Sequence, residues 1–127
     1  MRINTENKLP QSFTTGIYLE DLTLYQVAFK MKLLKQQEAV YKKRHDELGP
    51  DLQQLLKASG ISDYSIFLDE STNSLLGVLK ARSLQALDNL PQSEVMQKWW
   101  QYMGDIMESN SDNSLVSISL KEVFYLS

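Results

Sequence analysis

The sequence contains no cysteine and only one histidine, His45, among its 127 residues. The absence of cysteine excludes disulfide bonds, thiolate nucleophiles and cysteine-based zinc sites. A single histidine also excludes the histidine-rich clusters that bind many transition metals. We therefore expect no metal site built on these ligands.

Positive charge and long apolar runs are also scarce. The chain has 13 basic and 16 acidic residues, a net charge of -3, and a pI of about 5.1. The one short basic run, residues 42–44, is followed at once by Asp46 and Glu47, which indicates a solvated helix face and not a nucleic-acid surface. No apolar stretch approaches the ~18–20 residues that span a bilayer. The first residues lack the apolar core of a signal peptide. We expect a cytoplasmic protein that binds neither nucleic acid nor membrane.

What is present is typical of one globular domain. Hydrophobic residues make up 43% and charged residues 23% of the chain, which is close to the average for soluble domains. A chain of this length buries a core of its own. Residues 1–23 are polar and weakly patterned, with Pro10 and Gly16 as breakers, and are predicted to form an N-terminal extension. The domain is predicted to occupy residues 24–127.

Alternating and helical patterns succeed one another along that domain. Alternation from Tyr25 to Met31 predicts a strand. Helical spacing at 36–48 predicts a helix that Gly49 and Pro50 end, and a second helix runs from Pro50 to Ser59. The later segments predict, in order, a strand at 64–69, a turn at 70–73, a strand at 75–81, a helix capped by Ser83 and broken at Pro91, a helix from Ser93 to about Met107, a loop at 108–114, and a last strand carrying Val116, Ile118 and Leu120, with 123–126 continuing or re-entering the sheet.

This order predicts an α+β fold. A strand, paired helices, a hairpin, paired helices and a strand form a split βαβ repeat, with an antiparallel sheet and helices on one face. Both faces of the predicted strands carry apolar residues, for example Ile66 and Phe67. An apolar sheet face needs a cover, so we expect a face-to-face homodimer.

Few residues are candidates for chemistry. His45 lies four residues after Tyr41, so a helix places both side chains on one face. Spacing alone favours an ordinary surface histidine beside a partly buried tyrosine. Trp99 and Trp100 point ~100° apart on a helix, and an indole suits a sugar ring, although paired tryptophans also serve packing. Tyr64, at the start of a strand, is compatible with a plain core residue.

Together these segments resemble the L-rhamnose mutarotase family. The resemblance runs almost without gaps from about Tyr25 to Leu126. Five blocks in the family's order and spacing carry it: residues 41–47 (YKKRHDE), 64–69 (YSIFLD), 97–103 (QKWWQYM), 112–114 (DNS) and 122–126 (EVFYL).

The resemblance implies a ferredoxin-like subunit that pairs into a dimeric α+β barrel. It implies interconversion of the α and β anomers of L-rhamnose without a metal or organic cofactor. It places the acid/base histidine at His45, the sugar-binding tyrosines at Tyr41 and Tyr64, and the tryptophan pair at Trp99 and Trp100.

Two departures from the family pattern leave alternatives open. Gly49 stands where the family usually has tryptophan, and Ser111 and Leu115 stand where it usually has prolines. The change at Gly49 keeps open a mutarotase for another deoxy or pentose sugar. The fold also keeps open a sugar-binding barrel without catalysis and, by analogy of fold alone, a cofactor-free monooxygenase.

Overall fold

The computed structural model describes residues 23–127, so the predicted N-terminal extension lies almost wholly outside the described residues. Four strands and four α-helices follow one another along this part of the chain. In order they are β1 (Tyr25–Lys32), α1 (Glu38–Asp46), α2 (Pro50–Ala58), β2 (Ile61–Asp69), β3 (Ser74–Ala81), α3 (Leu84–Asn89), α4 (Glu94–Met103) and β4 (Ser117–Leu120), with a 3₁₀ turn, Leu90–Gln92, between α3 and α4.

The strands form one antiparallel sheet in the order β2-β3-β1-β4. Alternate residues of β1 and β3 face the helices, and Val27, Phe29 and Met31 lie opposite Leu79, Gly77 and Leu75 in the register. All six are buried. The helices therefore cover one face of the sheet, and the predicted antiparallel α+β architecture is confirmed. Among the described residues no helix is long and apolar enough to span a bilayer.

Local signals placed most helix ends correctly. Pro50 is the first residue of α2, where its missing N–H costs nothing. Gly60, with a φ of 84°, ends that helix in the left-handed conformation that favours glycine. The Ser83 hydroxyl accepts a hydrogen bond of 3.1 Å from the Ala86 N–H, as expected of an N-cap.

Three predictions at the C-terminal end were wrong. Helix α4 ends at Met103, four residues earlier than predicted, and Met107 instead pairs with Leu33 in an isolated bridge. Strand β4 has only four residues and begins at Ser117, so Val116 lies outside the predicted strand. Its Ser117 and Ser119 pair with the core-facing Met31 and Phe29. Its apolar residues therefore face away from the helices. Residues 121–127 form no strand, so 123–126 do not re-enter the sheet of this chain.

Gly77 makes room for the ring of Phe29 on the neighbouring strand. A Cβ at this position would lie 2.5 Å from Cζ and 2.7 Å from Cε2 of Phe29, well inside van der Waals contact. Gly77→Ala is therefore expected to displace a buried ring and lower the free energy of unfolding by about 1–3 kcal/mol. Urea unfolding measures this change. Gly104→Ala is the control, because its Cβ meets nothing closer than 3.4 Å. Equal stability of the two variants would contradict the packing argument.

Candidate active site

A cavity of about 660 Å³ lies between the sheet and the helices. This volume is within the usual range for small-molecule sites, ~300–1,000 Å³. Most of its wall is apolar, supplied by β1, β2, β3 and the inner faces of α2 and α4. All five site residues predicted from the sequence line it: Tyr41, His45, Tyr64, Trp99 and Trp100.

His45 projects from the last turn of α1 and is half-buried. Its ring stacks on Tyr41, one helical turn earlier, with centroids 4.2 Å apart and an interplanar angle of 29°. The rings of His45 and Trp99 meet in a T-shaped contact, with centroids 5.2 Å apart and an interplanar angle of 89°. Helix α1 thus supplies His45 and the tyrosine on which it stacks, while α4 supplies Trp99.

A hydrogen bond decides the tautomer of His45. Its Nδ1 lies 2.9 Å from the backbone oxygen of Tyr41. Because a carbonyl oxygen only accepts, Nδ1 carries the proton and donates it. In the neutral ring, Nε2 then holds the lone pair. His45 is therefore arranged as a base at Nε2.

Burial lowers the pKa of His45 below its ordinary value of 6.5, although the hydrogen bond to Tyr41 and the charge of Asp46 partly oppose this shift. The neutral ring consequently predominates at neutral pH. Burial also raises the pKa of both tyrosines, that of Tyr64 to about 12, while Tyr64 and Tyr41 also repel each other's charged forms. Both phenols stay protonated and are hydrogen-bond donors.

Tyr64 reaches the cavity from the opposite wall, on β2. Its ring meets Phe29 edge-on at 6.1 Å. The residue is 39% exposed, because part of it borders the open cavity, while apolar neighbours desolvate its hydroxyl. A plain core role for Tyr64, left open by the sequence, does not fit this position.

The tryptophans differ in their packing. Both are half-buried and both line the cavity, but only Trp99 also packs against the core cluster, the group of buried residues that includes Val27, Leu79 and Met103. Trp100 in addition lines a second, shallower pocket with Asp112 and Asn113. Trp99 is thus the structural member of the pair.

Several residues of the cavity wall were not predicted from the sequence. Ser117 and Ser119 of β4 line the wall beside Phe29, and Asp88 and Ser114 complete its polar part. The alternation of β4 did contain the signal. The register with β1 turns Ser117 and Ser119 towards the cavity and the apolar residues of β4 away from it.

The pH dependence of stability tests the environment of His45. Since the folded-state pKa lies below 6.5, the unfolded chain binds the proton more readily. The stabilising contribution of the neutral ring is complete above pH 6.5 and is lost as the pH falls from 6.5 towards the folded pKa. We expect an NMR titration of this sole histidine to give a pKa below 6.5. Wild type should then lose more stability between pH 7 and pH 5 than His45→Gln; identical losses would contradict the shift.

Among residues 23–127 no group of three or more histidine, cysteine, aspartate or glutamate side chains is placed to bind a metal ion. The polar groups available at the cavity are one imidazole, two phenols, two indole N–H groups, three hydroxyls and the carboxylate of Asp88. This set combines an imidazole that accepts a proton with several hydrogen-bond donors and aromatic faces. Such a set suits a polyhydroxylated ring that undergoes proton transfer.

Comparisons with known proteins agree with this geometry. A family model described as L-rhamnose mutarotase matches residues 26–126. An L-rhamnose mutarotase from Formosa agariphila is 53% identical over 100 residues, 79% of this chain and 96% of the relative. One from Brucella anthropi is 50% identical over 99 residues, 78% of this chain and 93% of the relative. The crystal structure of an L-rhamnose mutarotase from Formosa agariphila superimposes with a TM-score of 0.75 at 52% identity, covering 80% of this chain and 98% of that one. The chain belongs to the L-rhamnose mutarotase family.

Proposed function

We propose that this chain interconverts the α and β anomers of L-rhamnose, with His45 as the acid/base. The observation that carries the proposal is the position of the His45 ring, in contact with Tyr41 and Trp99 at a cavity large enough for a monosaccharide. The activity named for relatives at about half identity supports the choice of sugar.

The reaction needs one group that removes a proton from the sugar and later returns a proton to it. Nε2 of His45 removes the proton from the anomeric hydroxyl, and the bond from C1 to the ring oxygen breaks as C1 becomes an aldehyde. The imidazolium then protonates the released ring oxygen. Rotation about the C1–C2 bond turns the other carbonyl face towards that hydroxyl, and the reverse transfers close the ring. His45 is neutral again, and no atom or electron is gained or lost.

The phenols and indoles hold the sugar during these steps. Tyr41 and Tyr64 remain protonated, so they donate hydrogen bonds to sugar oxygens and do not compete with His45 as bases. The faces of Trp99 and Trp100 suit the C–H face of a pyranose ring. The apolar wall, including Leu52, suits the methyl group that a 6-deoxy sugar carries in place of a hydroxymethyl group.

Gly49 is the position at which the sequence leaves the choice of sugar open. Gly49 is exposed and is not among the residues of the cavity wall. A Cβ at this position would have no atom within 4 Å. A φ of -70° accommodates any side chain. Gly49→Trp is therefore a clean way to restore the family's usual residue and compare sugars.

NMR exchange spectroscopy tests the function. Magnetisation transfer between the two anomeric protons of L-rhamnose is followed with and without catalytic amounts of protein. We expect faster exchange for L-rhamnose than for L-fucose, L-lyxose or L-mannose. A preference for one of the other sugars would assign the same chemistry to another substrate. Binding without any acceleration would identify a sugar-binding module.

We infer further that the ferredoxin-like subunit pairs with a second copy through its uncovered sheet face, forming a dimeric α+β barrel. The register aligns Ile118, Lys30, Leu76 and Phe67 across that face. Phe67 is 60% and Ile118 54% exposed. An adjacent row holds Leu120, Ala28, Val78 and Ser65. Both rows are apolar apart from Lys30 and Ser65, which favours burial of this sheet face against another protein surface.

Light scattering after size-exclusion chromatography tests the assembly. We expect a mass of about twice the 14.6 kDa of the chain. Ile118→Lys should shift the protein towards the monomer, because it places a charge in the inferred interface. Asp51→Lys, on an exposed position of α2, is the control for added charge. A monomeric wild type would overturn the inference.

A further inference from the structure

Arg44, the residue before His45, reaches across from α1 to the segment that follows α4. Its Nη1 donates to Oδ1 of Asp105 at 2.7 Å and its Nη2 donates to Oδ2 at 3.0 Å. Nη1 also donates to the backbone oxygen of Tyr102 at 2.9 Å. The guanidinium lies over the Tyr102 ring, 4.3 Å from its centroid. This two-pronged pairing is the geometry that arginine forms with a carboxylate and lysine does not.

Helix α1 has few other attachments. Of its nine residues only Tyr41 is buried, and no side chain caps its N-terminus. Short helices gain most of their stability from tertiary packing. The orientation of α1 on the domain is therefore set by Tyr41 on one side and by Arg44 on another.

Two elements that meet at His45 are joined by this pairing. The ring of Trp99 touches His45 at 5.2 Å and Tyr102 at 5.9 Å. Tyr102 in turn holds Arg44 through its ring and its carbonyl. The contacts form a closed circuit from His45 to Trp99, Tyr102, Arg44 and back along α1. A rotation of α1 that moved His45 away from Trp99 would pull Arg44 out of its pairing.

We propose that Arg44 and Asp105 form a clamp that positions His45 against Trp99, which makes them positioning residues for the reaction of the cavity. The inference rests on the proposed role of His45. Neither residue lines the cavity, so neither touches the sugar. The Arg44 side chain is 15% exposed and that of Asp105 64%. Because the Asp105 carboxylate is mostly exposed, and ion pairs open to solvent contribute little to stability, we expect the clamp to act mainly on geometry.

The chain offers a matched control on the same helix. Lys42 pairs with Asp46 at 3.0 Å, but both side chains are more than 60% exposed and the pair stays within α1. Lys42→Met therefore removes an ion pair from α1 without loosening its attachment to α4. Arg44→Met removes a similar charge together with the attachment.

The test combines anomer-exchange kinetics with the NMR signal of the single histidine. Displacements of about 1 Å at a reacting group cost up to ~10²-fold in rate, so we expect Arg44→Met to lower kcat about 10–100-fold. KM should change little, because no substrate contact is lost. The ring protons of His45 should also shift, because ring currents from Tyr41 and Trp99 depend on its position. Arg44→Lys should recover only part of kcat, and Lys42→Met should match wild type in both measurements.

Asp105→Asn provides a second variant if Arg44→Met fails to fold. It removes the charge and one acceptor at constant shape, and it should lower kcat and move the His45 signal in the same direction. A folded Arg44→Met or Asp105→Asn protein with wild-type kcat and an unmoved His45 signal would overturn the clamp. That result is distinguishable from failure of the proposed function, in which His45→Ala itself retains activity. The NMR shift still reports on the clamp in that case.

Discussion

His45→Ala is expected to abolish the acceleration of anomer exchange. General acid/base catalysis contributes about 10²–10⁴-fold, and the chain has no second histidine to replace His45. Tyr41 and Tyr64 cannot substitute as bases, because burial raises the pKa of each phenol. Exchange spectroscopy on L-rhamnose measures the effect directly, as the difference between the rate with the variant and the spontaneous rate in buffer.

Two variants separate catalysis from folding in this experiment. His45→Gln retains a polar side chain of similar size, and it should be as inactive as His45→Ala. Lys42→Met changes an exposed residue of the same helix that pairs with Asp46 outside the cavity, and it should keep full activity. Both His45 variants should still unfold cooperatively. Full activity of either His45 variant would remove this residue from the acid/base role.

Trp99→Ala is expected to lose both stability and activity. The side chain packs against the core cluster and supports His45 and Tyr102 through ring contacts of 5.2 and 5.9 Å. Truncation of a buried aromatic residue costs about 3–5 kcal/mol, and since Trp99 is half-buried we expect about 3 kcal/mol. Urea unfolding measures the free energy, and exchange spectroscopy measures kcat and KM on the protein that remains folded.

Trp100→Ala is the matched comparison, because Trp100 lines the cavity without joining the core cluster. It should raise the KM for the sugar while lowering the free energy of unfolding less than Trp99→Ala does. The two tryptophans would then have different roles: Trp99 would stabilise the fold and Trp100 would bind the sugar. The opposite order of stability losses would contradict the packing seen here.

Local sequence signals predicted most helices and strands. They did not predict features that depend on how one strand pairs with another. Pro50, Gly60 and Ser83 act within one turn of their own positions, so their helix ends were predictable. The inward face of β4 depends on the register with β1, which brings Ser119 opposite Phe29. A register is a relation between distant segments. Alternation in β4 alone does not show which of its two faces is turned inward.

The candidate site shows the same division. The spacing of Tyr41 and His45 by four residues predicts that the two rings share a helix face, and they stack at 4.2 Å. The spacing did not decide between a surface histidine and a cavity histidine, because that depends on what α4 places beside α1. The pairing of Arg44 with Asp105, 61 residues apart, has no signal in the sequence.

The sequence by itself determined the class of protein: a cysteine-free α+β domain with one histidine, and five blocks of residues that resemble one family in order and spacing. Those features depend on composition and on neighbours along the chain. The tertiary structure alone decided that Tyr41, His45, Tyr64, Trp99 and Trp100 surround a single cavity, which of the two tryptophans joins the core, and how α1 is held to α4. The physical reason is that a cavity is made by packing elements against one another, and desolvation, ring contacts and paired charges exist only after the chain has brought distant residues together.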